Sequence, residues 1–165
     1  TRDELEAVMD RLNARLAEMG VSTQLKFFEV VAMRLYSGTM YSKYSAIVRK
    51  GGDGFDEGEK PGYVATIYAL ASGIGKLAKL SKVEKGYRGM RGLRLPSSFF
   101  HPDAQGLRGG TEVGFCSFTP DKEVALSYAG AGGAFFEFDD SYASKGANLS
   151  ELSYYPLKAN GSSRP

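Results

Sequence analysis

The chain has 165 residues, 21 of them Lys or Arg and 19 Asp or Glu, so its formal charge is only +2. Hydrophobic residues make up 42% and charged residues 24%, which excludes wholesale disorder and fits one domain with a real core. The small charge excess leaves no electrostatic footprint for nucleic acid or an anionic membrane, and no apolar run approaches the length of a membrane span.

The spacing of Leu5, Val8, Met9, Leu12, Leu16 and Met19 predicts a helix over Asp3–Met19, capped by Asp3 and ended by Gly20. Phe27–Tyr36 (FFEVVAMRLY) reads as a second helix. Tyr41–Val48 reads as a further turn or two, with Tyr44, Ile47 and Val48 inward. Gly51–Gly58 is a loop by composition, without the ordered oxygen ligands of a calcium-binding hand. Tyr63–Leu80 is the clearest helix: Val64, Ile67, Tyr68, Ala71, Ile74 and Ala78 form one stripe, widened by Leu70 and Leu77.

The periodicity then changes. Lys82–Tyr87 reads as a strand leading into Arg88-Gly89, and Glu112–Phe118 (EVGFCSF) as another. Pro120–Ala129 reads as a short helix with proline and acids in its first turn, and Ala134–Phe138 (AFFEF) as a strand. Helices first and strands second argue for an α+β fold in a single domain over 1–165. Its helices span about 3–80, its β core about 82–156 and its tail 157–165.

The chemistry-bearing residue types are few. Cys116 is the single cysteine, which excludes an intrachain disulfide, and one histidine, His101, cannot join it in a protein-only zinc site, so no metal is expected. His101 stands in a turn context, and Cys116 reads as a small hydrophobe buried in an apolar strand. Gly73-Ile74-Gly75-Lys76 lies inside a helical stripe and lacks phosphate-loop spacing. Arg88, Arg91, Arg94 and Arg108 flank glycines, but the run is too short for an RNA-binding reading. The opening Thr1-Arg2-Asp3-Glu4 carries no signal-peptide pattern, so a cytoplasmic location is expected, and the missing initiator methionine is what a fragment would show.

One constellation remains. An arginine at a strand end can offer its planar fork to a phosphate or a ribose oxygen, and Arg88 is so placed. Gly89 would let a ligand approach the backbone. Ser117 and Thr119 would project to one strand face, where they could hold an arginine or a sugar. The plainer alternative is an exposed arginine near a turn, with a Ser/Thr pair that caps the next helix.

Four stretches resemble the arginine-specific mono-ADP-ribosyltransferases. They are Leu35-Tyr36-Ser37-Gly38 with Lys43-Tyr44; Tyr87-Arg88-Gly89; Arg108–Glu112 continuing through Thr119–Ala125; and Gly146–Ser150 with Leu152-Ser153 and Tyr155-Pro156. That family's signature is Arg, then Ser-x-Ser/Thr, then Glu-x-Glu. The resemblance implies a helical half followed by a split mixed β-sandwich, with NAD as substrate, a protein arginine as acceptor, and no nucleic-acid or membrane partner. It implies that Arg88 and Ser117 are catalytic. Tyr87, Arg88, Gly89, Ser117, Thr119 and a stacking aromatic, Phe136 or Phe138, would line the NAD pocket.

The third motif departs. Counted from Pro156, the two carboxylates should fall at Lys158 and Asn160, in the run Lys158-Ala159-Asn160. The family's last strands are also missing from this sequence, as in a truncated or diverged chain. The expectation is a weak or inactive transferase or, alternatively, a non-catalytic module that binds NAD or a protein.

Overall fold

The structure, a computed structural model, describes residues 1–53, 62–81, 84–139 and 145–155. They gather into two compact units, Thr1–Lys82 with Ser144–Pro165, and Val83–Ala143. The fold class is α+β.

The first unit is helical. α1 spans Arg2–Glu18. Its cap is Thr1, not Asp3. The Thr1 hydroxyl accepts the Glu4 N–H at 3.3 Å while the Glu4 carboxylate accepts the terminal ammonium at 2.7 Å. This reciprocal box satisfies two orphan donors at once and starts the helix one residue early. Only Leu12 and Leu16 of the predicted stripe are fully buried, and Met19 is exposed.

α2 spans Phe27–Leu35, and a π turn over Tyr36–Met40 joins it to α3, Tyr41–Asp53. Tyr44 is buried, as its spacing implied. α3 carries on through Gly51–Asp53, where composition indicated a loop. The glycine penalty, about 1 kcal/mol, is small enough for the helix to absorb at its end. The rest of the glycine-rich run, 54–58, lies outside the described residues.

α4 spans Val64–Leu77 and runs into a 3-10 turn at Ala78–Leu80. Its buried face is Ala69, Leu70, Gly73 and Leu77. The predicted stripe is rotated away from it: Tyr68 is 79% and Val64 50% exposed. Small residues decided the contact. A Cβ at Gly73 would lie 2.8 Å from Met33 Cε, so the glycine lets α4 press against α2.

Across that contact lies a buried ion pair. Glu29 is 2% exposed, and both of its carboxylate oxygens accept from Lys76 Nζ at 2.7 Å. The Ser72 hydroxyl donates to it at 2.5 Å and the Lys26 backbone N–H at 2.7 Å. A 3-10 turn at Ser150–Leu152 completes this unit. Leu152 is 1% exposed, and Glu151 pairs with Arg15 at 2.7 Å and Arg11 at 3.3 Å on α1.

The second unit holds β1 (Gly86–Met90), α5 (Lys122–Ala129) and β2 (Ala134–Phe138). β1 starts later than the predicted strand, and β2 matches its prediction. The two pair antiparallel, Tyr87 opposite Glu137 and Arg88 opposite Phe136. Glu112–Phe118 forms no strand; the residue that follows it, Thr119, makes an isolated bridge with Tyr87. Alternating apolar residues mark a half-buried segment, but a strand also needs a partner ladder, and here one bridge supplies it. The described residues therefore form one small antiparallel sheet, without the mixed, split sandwich that the resemblance implied.

Lys76→Met should be severe, because it strands a buried carboxylate. We expect a loss of about 3–5 kcal/mol by urea unfolding. Burial pushes the Glu29 carboxyl up, yet its bonds to Lys76, Ser72 and the Lys26 N–H outweigh burial and hold it below its ordinary value. A carboxyl lowered in the folded state stabilises fully above its unfolded value, about 4.3, and loses that contribution as pH falls through the folded value. The urea midpoint should therefore fall on acidification below about pH 4.3, and Glu29→Gln should flatten that slope.

Candidate functional site

The candidate site grows from the way α5 meets β1. Asp121 caps α5, its carboxylate accepting the N–H groups of Glu123 at 2.9 Å and Val124 at 3.2 Å. The Thr119 hydroxyl accepts the Asp121 N–H at 3.1 Å and sets the approach to the helix. The helix then lies directly on Gly89. A Cβ there would sit 1.8 Å from the Ala125 carbonyl oxygen and 2.5 Å from the Ala129 nitrogen. Glycine at 89 was expected to admit a ligand; the structure gives it a packing duty, since the space above it is helix backbone.

Strand alternation does the rest. Paired residues of an antiparallel ladder share a face, so Tyr87, Gly89, Phe135 and Glu137 belong to the α5 side. Tyr87 stacks on Phe135 with ring centroids 5.8 Å apart. Arg88, Phe136 and Phe138 belong to the opposite side. The Phe136 and Phe138 rings are nearly parallel at 6.3 Å. Phe118 covers Gly86 on that side and meets Phe138 at 5.8 Å. Phe118 is thus a packing residue.

Arg88 is half-buried. Its Nη1 donates to Cys116 Sγ at 3.2 Å and to the Ser117 carbonyl oxygen at 3.4 Å. Among the described residues it has no carboxylate partner. By contrast, Lys85, just before β1, pairs with Glu137 on β2 at 2.8 Å. An arginine left without a counter-ion beside aromatic rings keeps its charge and its fork for an anionic ligand.

The predicted site residues divide accordingly. Arg88 and Phe136 lie opposite each other, and Ser117 reaches Arg88 through its carbonyl. Thr119 pairs with Tyr87 through two backbone hydrogen bonds, 2.7 and 2.9 Å. It therefore shares the Tyr87 side of the sheet, one register step out of phase with Arg88. The predicted convergence of the Ser117 and Thr119 hydroxyls with Arg88 required a continuous strand, and this segment is not one. Tyr87, Gly89 and Thr119 support the two-stranded sheet and α5. Lys158 and Asn160 lie outside the described residues.

Cys116 was missed. It is half-exposed in an irregular segment, not buried in a strand, and its sulfur touches the arginine. No local pattern marks it: its contact with Arg88 comes from an irregular segment held to β1 where Thr119 pairs with Tyr87. That pairing is invisible before folding. A cavity of about 420 Å³ opens among Ser98, Asp103, Leu107, Arg108 and Thr111, but Arg88 does not line it. The described residues include no cluster of metal-ligating side chains and no helix long and apolar enough to cross a membrane.

The packing duty of Gly89 is testable. Gly89→Ala should destabilise the chain by about 3 kcal/mol, read as a lowered melting temperature. An unchanged melting temperature would contradict this α5–β1 contact.

Comparison with known proteins now adds the family. No curated protein and no solved structure gives a significant match. The profile of one family, described as NAD:arginine ADP-ribosyltransferase, matches residues 2–160. With nearly its whole length matched, the chain belongs to the NAD:arginine ADP-ribosyltransferase family.

Proposed function

We propose that this chain binds NAD with the Arg88 guanidinium on the dinucleotide's phosphate and ribose oxygens, beside Ser117 and with Phe136 as the aromatic neighbour of the nicotinamide. The observation that carries this reading is Arg88 itself. It is half-buried, anchored through Nη1 alone, and without a carboxylate among the described residues. A cation so arranged suits an anionic ligand, and NAD is the anionic substrate of the family to which the chain belongs.

The reaction we assign is transfer of ADP-ribose to a protein arginine. The bond between the nicotinamide nitrogen and ribose C1′ breaks, and nicotinamide leaves with the bonding pair. Positive charge builds on C1′, an arginine nitrogen of the acceptor bonds to it, and that guanidinium gives up a proton. Such an oxocarbenium-like path is stabilised by a carboxylate facing the sugar, as in glycosidases.

On our count from Pro156, this sequence offers Lys158 and Asn160 where the carboxylates are needed. Asn160 accepts a hydrogen bond but has no charge to set against the cation. Lys158 brings charge of the wrong sign. Loss of one preorganised stabilising group costs about 10²–10³ in rate. We therefore read the chain as an NAD binder with weak or no turnover, and the same loss favours a binding-module role for the fold.

Two measurements test this reading. Calorimetric titration with NAD should show saturable binding that Arg88→Ala weakens at least about tenfold, in line with loss of a charge-assisted contact. Nicotinamide release with free arginine as acceptor should be near background, and should rise by about 10²-fold in a Lys158→Glu/Asn160→Glu variant. Robust turnover by the natural sequence would show that the carboxylates have been misplaced.

A further inference from the structure

We infer that Cys116 is a positioning residue for Arg88, an inference that rests on the reading of Arg88 as the NAD-binding cation. An arginine on a long flexible stem gives up affinity when binding has to order it, so anchoring the fork in advance strengthens binding. Here the anchor is at one end only. Cys116 Sγ and the Ser117 carbonyl oxygen both accept from Nη1. Nε and Nη2 have no hydrogen-bond partner among the described residues.

The chemistry of the anchor matters. A carboxylate in this place would orient the fork, but it would also cancel its charge and compete with an anionic ligand. A thiol sulfur and a backbone carbonyl are neutral acceptors, the sulfur a weak one. They fix direction and leave the full charge to the ligand. Cys116 reaches this place from an irregular segment that is held to β1 where Thr119 bridges to Tyr87. Phe118 packs over Gly86, and the sulfur two residues before it meets the guanidinium.

The test is a thermodynamic cycle read by calorimetric titration with NAD. It uses the wild type, Arg88→Ala, Cys116→Val, Cys116→Ser and the Arg88→Ala/Cys116→Val double variant, with thermal melts alongside. Valine keeps the shape and removes the acceptor; serine keeps an acceptor. We expect Cys116→Val to weaken NAD binding about 5- to 10-fold and Cys116→Ser to stay within about twofold. Cys116→Val should cost nothing further once Arg88 is alanine. If the valine variant melts early, Cys116→Ala serves in its place. Wild-type affinity in Cys116→Val, where Arg88→Ala binds poorly, would overturn the inference and leave Arg88's role intact. The same loss from Cys116→Val in both Arg88 backgrounds would overturn it too, by showing an effect that bypasses the arginine. If Arg88→Ala binds NAD like the wild type, the reading of Arg88 fails first and this inference falls with it.

Discussion

The missing side chain at position 89 decides where its neighbour can go. Because Gly89 carries no Cβ, the backbone of α5 lies against β1, and one face of a very small sheet is spent on that contact. Strand alternation then leaves Arg88 a single direction, the face away from the helix. A packing requirement at one residue thus fixes the address of a charge at the next. The bridge between Thr119 and Tyr87 completes the arrangement, since it holds beside β1 the irregular segment from which Cys116 and Phe118 reach the arginine's side. None of these contacts is strong alone. Their effect is geometric, and in a two-stranded sheet geometry is the scarce resource.

Much of the local structure is legible in the sequence because it is encoded locally. α1, α2, α5 and β2 follow from apolar period, capping residues and turn residues within a few positions of one another. α4 exists as predicted, and Leu70 and Leu77, which widened the apolar stripe, are buried, but the centre of the stripe is not and Ala69 and Gly73 complete the face. A stripe of Tyr68, Val64 and Ile67 describes hydrophobicity, whereas the contact with α2 depends on how closely two backbones can approach, which Ala69 and Gly73 govern. The irregular path of Glu112–Phe118 was hidden for a related reason: pairing belongs to two segments, and one segment's alternation cannot report it. Arg88 could be singled out from its motif. Its contact with Cys116 spans 28 positions and becomes visible only in the folded chain.

Membership of a family and possession of its chemistry rest on different residues. The profile match covers residues 2–160, nearly the whole chain. Turnover, on our reading, hangs on two carboxylates near the end of the matched region, where the sequence has Lys158 and Asn160. A scaffold can outlast the loss of such groups because they contribute little to folding. A binding arginine can outlast it as well. The Glu29–Lys76 pair is the reverse case: a buried charge pair whose loss would be felt by the fold.

The clasp between the end of α2 and the 150–155 segment has a consequence for synthesis. Arg34 donates to the carbonyls of Leu152 and Ser153 and lies over the Tyr154 ring, while the Ser37 hydroxyl accepts the Tyr154 N–H at 2.8 Å. The segment that seats Leu152 among these helices leaves the ribosome well after they do. Until it does, the nascent helices carry an unfilled apolar socket and an arginine without its carbonyl acceptors. Completion of the helical unit therefore waits on synthesis of the 150–155 segment, with the Arg88 strand pair made in between.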